Sequence, residues 1–248
     1  LERKREKEMT MKINWENEID KKLFAQFGLN DFADFWEIES REHPLKIDLI
    51  RKHVNRKTKQ VNRKIEKITA EDRVYYMKRA SEQAFININN EFAAIKILPE
   101  FGLKPSEVAA WAFDEEQQQG FLILKDLKDF FSIKEIIKKN TPPETLDDFV
   151  ARQDDILHKI AAAINETHKK GYIYPDWFAK HIYIKKGSEE IALIDLERFL
   201  PFEKCPWYFT FPITSFFVRK KICNKLIISL KRESSLLSVQ YLRSIFKA

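Results

Sequence analysis

The chain is expected to fold as an α+β protein, with a sheet-bearing N-terminal half and a mainly helical C-terminal half. Two observations predict this. Runs rich in β-branched and aromatic residues, bounded by polar turns, crowd the stretch 47–124. Apolar residues at helical spacing dominate 146–170 and 213–248. The length of 248 residues suits two small lobes. An apolar fraction of 44% with 20 Phe supplies a sizeable core and excludes wholesale disorder.

In chain order, residues 1–22 are charge-dense and read as a frayed or helical lead-in. Leu23 to Trp36, with Phe24, Phe27, Phe32 and Phe35, is expected to pack on the body. Three antiparallel strands are predicted within 47–80. The last is Arg73-Val74-Tyr75-Tyr76-Met77-Lys78-Arg79, preceded by the polar turn Thr69–Asp72. Ile88, Phe92, Ile95 and Leu98 then mark a helix that Pro99 and Gly102 end, with Glu91 near its middle. Val108 to Phe113 and Gly120 to Leu124 are two more strands, and Lys125-Asp126-Leu127 follows as a connector between lobes. A short helix is expected over Ser132 to Lys139.

Residues 146–170 read as one long helix through Phe149, Ile156, Ile160 and Ile164, closed by Gly171. Ile182–Ile184 and Ile191–Ile194 read as a hairpin around Lys-Lys-Gly-Ser. The expected division is an N-terminal helical extension, 1–46, a sheet lobe, 47–127, and a helical lobe, 128–248.

The net charge of +6 suits a phosphate-bearing ligand, an anionic membrane surface or nucleic acid without choosing among them. Cys205 and Cys223 form neither a zinc framework nor a disulfide scaffold, which points to a reducing, cytoplasmic setting. No window approaches the ~18–20 apolar residues of a spanning helix. Leu1 to Met9 is charged and lacks a following apolar stretch, so no signal peptide is expected there.

Chemistry is concentrated in two segments. Tyr174-Pro175-Asp176-Trp177-Phe178-Ala179-Lys180-His181 follows the long helix, and Ile194-Asp195-Leu196-Glu197 ends the hairpin that begins after His181. Two carboxylates at the ends of adjacent short elements suit phosphoryl transfer. One accepts the proton of the attacking hydroxyl, another holds a metal ion, and a strand lysine oriented by a helix glutamate holds the phosphates.

With these motifs the chain resembles the protein-kinase-like superfamily and, more narrowly, the lipopolysaccharide kinase (Kdo/WaaP) family. The similar stretches run from about Arg51 to Phe199. They include Arg56-Lys57-Thr58, Tyr75 to Lys78, Asn90-Glu91-Phe92, Phe121 to Leu124, Thr167 to Gly171, Asp176 to His181 and Leu193 to Arg198. The resemblance implies a bilobal kinase-like fold, with a small antiparallel-sheet N-lobe and a mainly helical C-lobe. It implies ATP and Mg²⁺ as cofactors and a sugar hydroxyl of the lipopolysaccharide core, on heptose or Kdo, as acceptor.

By the same resemblance Lys78 holds the α- and β-phosphates with Glu91 as its helix partner, Asp176 is the catalytic base, and Asp195 and His181 are metal ligands. Arg56 and Thr58 are candidate phosphate contacts, and Lys125 and Leu127 of the connector are candidate nucleotide contacts. Three departures stand out. Tyr174 replaces the usual His, Pro175 replaces the usual Arg, and no glycine occurs in 51–77. The first is structurally tolerable for an aromatic. The second argues against control by activation-segment phosphorylation. The third motivates an alternative, a pseudokinase that binds nucleotide or serves as a scaffold.

A nucleic-acid binder resting on the basic run Arg51–Lys67 lacks a recognition motif, and no nucleic acid is expected. His168 is expected to be structural and Glu197–Arg198 a local ion pair. The aromatic run Trp207-Tyr208-Phe209-Phe211 with Phe216-Phe217 reads as core. A second reading makes it an interfacial patch beside Arg219-Lys220-Lys221, meeting a lipid-anchored acceptor at the inner face of the cytoplasmic membrane.

Overall fold

A computed structural model describes residues 11–38, 44–54, 61–205, 212–233 and 237–246. The chain forms two compact units, one from residues 1–92 and 106–127, the other from 93–105 and 128–248.

The first unit is built on a six-stranded sheet of order β1-β6-β7-β4-β3-β2. Its strands are β1 (Asn14–Trp15), β2 (Lys46–Val54), β3 (Val61–Ala70), β4 (Arg73–Ser81), β6 (Val108–Asp114) and β7 (Gln119–Lys125). All pairings are antiparallel. The side chains of β4 alternate between two buried environments, as period-2 strand geometry requires. Tyr75 and Met77 face helices α1 (Glu18–Gln26) and α2 (Phe32–Glu37), within a core that includes Phe24, Phe35, Phe121 and Ile123. Ala80, on the other face, packs with Ala84, Phe85 and Ile88 of α3 (Gln83–Ile97).

The segment before β2 therefore does more than lead in. It adds strand β1, paired with Trp111 and Ala110, and lays two helices on the sheet. Phe24 and Phe35 are fully buried, each worth about 1.5–3 kcal/mol relative to exposure. Gly120 is required by close approach: a Cβ there would lie 2.5 Å from the Ala112 carbonyl oxygen.

The second unit has a four-stranded sheet of order β5-β11-β10-β8 and a two-stranded ribbon of β9 and β12. The strands are β5 (Lys104–Pro105), β8 (Phe130–Ser132), β9 (Tyr172–Ile173), β10 (Ile182–Lys185), β11 (Ile191–Leu193) and β12 (Leu200–Pro201). Among the described residues the α-helices that accompany them are α4 (Ile133–Ile137), α5 (Pro143–Ala151), α6 (Gln153–Lys169), α7 (Pro212–Glu233) and α8 (Val239–Phe246). Ser132 and Glu135 cap α4 reciprocally.

The single helix expected over 146–170 is instead α5 and α6, broken at Arg152. Arg152 leaves helical geometry at φ −119° and its guanidinium is held by Asp148. Asp154 and Asp155 then fall in the first turn of α6, where carboxylates favour a new helix start. Among the described residues no helix is long and apolar enough to cross a membrane.

Candidate active site

In the first unit, the site-bearing pair is Lys78 on β4 and Glu91 on α3. The Lys78 Nζ donates to Glu91 Oε1 at 2.7 Å and Oε2 at 2.6 Å, and both side chains are buried. The helix places Glu91 through its repeat. Ala84, Ile88, Glu91, Ile95 and Leu98 form the buried stripe, so a carboxylate occupies an apolar position. Phe92, expected in that stripe, is half-buried and packs on Trp111 and Phe113 instead. A buried ion pair is weak evidence for stability, because desolvation offsets much of the attraction. Its use here is to hold an ammonium in one place.

In the second unit, the segment from Tyr174 to His181 leaves β9 and is fastened from several sides. Trp177 and Ala179 are buried. The Ala179 N–H donates to Ser229 Oγ at 3.1 Å on α7, and the Ala179 carbonyl accepts from the Lys134 N–H at 3.0 Å on α4. Tyr174 is fully buried against Trp177 and Phe199. Its hydroxyl donates to the Ile194 carbonyl at 2.9 Å, with the Asp195 carbonyl at 3.3 Å. Tyr174 thus ties the loop carrying Asp176 to the segment carrying Asp195. This is the structural duty expected of an aromatic at that position.

Asp195 sits at φ 60°, ψ 53°, in left-handed backbone. For a residue with a Cβ this conformation costs on the order of 1–3 kcal/mol, and such positions cluster at functional sites. His181 faces it. The His181 Nδ1 lies 2.9 Å from the Asp176 carbonyl oxygen, which only accepts, so Nδ1 carries the proton. In the neutral ring Nε2 then bears the lone pair, and it lies 3.6 Å from Asp195 Oδ2. Burial lowers the His181 pKa, outweighing the opposing hydrogen bond to Asp176 and the charge of Asp195, and favours that neutral form.

An imidazole lone pair and a carboxylate turned on one point fit a divalent cation. No group of three or more His, Cys, Asp or Glu side chains among the described residues forms a complete cage. Mg²⁺ takes one or two protein ligands and completes its shell with water and phosphate oxygens.

Arg198 was not marked as a site residue by its spacing. Its Nη1 donates to both oxygens of Asp176, at 3.0 and 3.2 Å, so the principal ion pair of Arg198 is not the local one expected with Glu197. Nothing in the one-dimensional pattern links residues 176 and 198. The antiparallel pairing of β9 with β12 brings their flanking segments side by side.

Of the remaining expected contacts, Lys125 directs its ammonium at the buried Asp20, 3.0 Å away, and at Glu107, 3.7 Å away. Leu127 is half-buried just after β7. Arg56 and Thr58 lie outside the described residues, as does the aromatic run Trp207-Tyr208-Phe209-Phe211. His168, as expected, is structural: its ring meets Phe202 edge-on at the end of α6.

The model of the lipopolysaccharide kinase (Kdo/WaaP) family matches residues 46–201. A search of curated proteins found no match. Among solved structures, WaaP in complex with acyl carrier protein aligns with a TM-score of 0.60 at 16% identity, covering 96% of this chain and 90% of that chain. The PK-1 kinase of Cydia pomonella granulovirus aligns with a TM-score of 0.43 at 15% identity, over 63% of this chain and 55% of that one. The WaaP likeness bears out the α+β, protein-kinase-like fold expected from the sequence. Because the family model spans well over half of its length, this chain belongs to the lipopolysaccharide kinase (Kdo/WaaP) family.

Proposed function

We propose that this chain is an ATP- and Mg²⁺-dependent kinase that phosphorylates a sugar hydroxyl, on heptose or Kdo, of the lipopolysaccharide core. The observation that carries this reading is the corner of the second unit where His181 Nε2 and Asp195 Oδ2 face each other beside Asp176.

In this reading the Asp176 carboxylate orients the acceptor hydroxyl and takes its proton. The acceptor oxygen bonds to the γ-phosphorus as the bond to the ADP oxygen breaks. Lys78, steadied by Glu91, binds the α- and β-phosphates. Asp195 and His181 would hold the metal ion, which when bound neutralises charge on the phosphate oxygens. Arg198 fixes the carboxylate of Asp176 while leaving lone pairs on each oxygen for the acceptor. Arg56 and Thr58 would meet the phosphates in place of a glycine-rich loop. Since the Lys125 ammonium is engaged by Asp20, the connector would meet the nucleotide through its backbone and Leu127.

The acceptor would be met at the inner face of the cytoplasmic membrane. The WaaP of the solved complex binds acyl carrier protein, and a carrier protein is a partner to test here too.

The deciding experiment is transfer of the labelled γ-phosphate of ATP onto extracted core oligosaccharide, followed by locating the phosphate. Asp176→Asn should lower transfer by about 10²–10⁴-fold while ATP binding persists. Wild-type turnover in that variant would refute the assignment of the base. ATP binding by the wild type, with no transfer to any core acceptor, would favour the scaffold reading instead.

A further inference from the structure

Three cations stand in register across the sheet of the first unit. Lys52 of β2 is directly opposite Lys64 of β3, and Lys64 is directly opposite Arg79 of β4. Directly opposed residues of an antiparallel ladder project from the same face, with Cβ atoms about 4.5–5.5 Å apart. Since Arg79 follows Lys78 on one strand, this face is the one turned away from the Lys78 ammonium.

Like charges placed directly opposite one another are destabilising. Arg79 is compensated: Glu66 accepts from it at 2.9 and 2.5 Å, and the carbonyls of Phe35 and Trp36 accept as well. Lys52 and Lys64 make no ion pair among the described residues, and Glu66, the acid on the same face, is engaged by Arg79. Beside them lies a cavity of about 260 Å³. Its lining residues include Trp36, Lys52, Asn62, Lys64, Arg79 and Ser81, and none of them bears a carboxylate. Arg79 is more than nine-tenths buried, so part of this charge sits on a fixed, packed group, whereas Arg63, opposite Ala80, projects from the other face.

From this arrangement we propose a second anion site, on the sheet face opposite Lys78, that takes a phosphate-bearing ligand. A bound phosphate would accept from Lys52 and Lys64 and relieve the repulsion between them. The cavity has room for a phosphate with part of its carrier or several waters, each occupying about 30 Å³. The site does not depend on the kinase reading, because none of its groups belongs to the Lys78, Asp176 or Asp195 constellations.

The test is calorimetric titration of the full chain with inorganic phosphate at constant ionic strength. It is run on wild type, Lys78→Met and the double variant Lys52→Gln/Lys64→Gln. Saturable binding is expected in wild type and Lys78→Met. It should weaken by about tenfold or more in the double variant, as expected for loss of charge-assisted hydrogen bonds. Because that variant removes only opposed like charges, its melting temperature without phosphate should equal or exceed that of wild type.

Sedimentation with phosphatidylglycerol vesicles identifies the source of the phosphate. Co-sedimentation of wild type but not of the double variant assigns a lipid headgroup. Phosphate binding without co-sedimentation assigns a soluble phosphate compound. The proposal is overturned if wild type binds neither probe, if the double variant binds both as wild type does, or if phosphate binding disappears in Lys78→Met.

Discussion

Tyr174 and Asp195 show how much of the second unit's site depends on single atoms. The Tyr174 hydroxyl is one tie between the Asp176 loop and the strained Asp195 backbone. Tyr174→Phe leaves the ring in place and strips the Ile194 carbonyl of its donor. The expected loss is about 1–3 kcal/mol of stability, read by urea unfolding. Transfer should also fall, as Asp195 loses its support, whereas a purely packing role would leave turnover unchanged. Asn tolerates left-handed backbone, so Asp195→Asn should keep the fold. It should still abolish the divalent-ion dependence of ATP binding, measured by calorimetry with and without Mg²⁺. In the first unit, Lys78→Met removes one partner of a buried pair. It should destabilise by roughly 3 kcal/mol in denaturant melts, since a buried charge loses its counterion. A change near zero would mean that water reaches Glu91.

At the scale of elements, two titrations report on how helices are fastened. Asp20 of α1 is fully buried and accepts from Tyr75 at 2.7 Å and Asn17 at 2.6 Å, with Lys125 at 3.0 Å. Burial raises its pKa, but these hydrogen bonds and the Lys125 charge outweigh it, and the net direction is below the ordinary 3.8. A lowered carboxylate contributes stability above its unfolded pKa and loses it as pH falls through the folded value. The stability difference between wild type and Asp20→Asn should therefore shrink as pH drops from about 5 to about 2. His168 behaves as a buried base. Burial, aided by Arg219, lowers its pKa to about 4, and neither ring nitrogen has a hydrogen-bond partner among the described residues. The unfolded chain binds this proton first, so stability should fall as pH goes from 6.5 towards 4. His168→Phe should flatten that slope in pH-dependent thermal melts. The break between α5 and α6 belongs to this scale too. Apolar rhythm continues through Arg152, and only the clustered Asp154-Asp155 hinted at a restart.

For the whole molecule, the short strands β1, β5, β8, β9 and β12 escaped the sequence pattern, but alternation and helical spacing ordered the longer strands and most of the helices. They are consequences of which neighbouring residues are apolar, and a reader of the chain sees neighbours directly. The motifs singled out Lys78, Glu91, Asp176, His181 and Asp195; the structure carries Lys78 within β4, Glu91 within α3, and Asp176, His181 and Asp195 at turns beside short strands. The tertiary structure alone decided who meets whom. Arg198 reaches Asp176 because β9 pairs with β12, Lys125 turns to Asp20 because α1 lies on the sheet, and Lys52, Lys64 and Arg79 align because of the register of β2, β3 and β4. Register and packing are set by long-range closure of the chain, where a shift of one residue would turn every side chain to the other face. Linear spacing therefore determined most of the elements and the chemical groups they bear, and folding determined which charges meet.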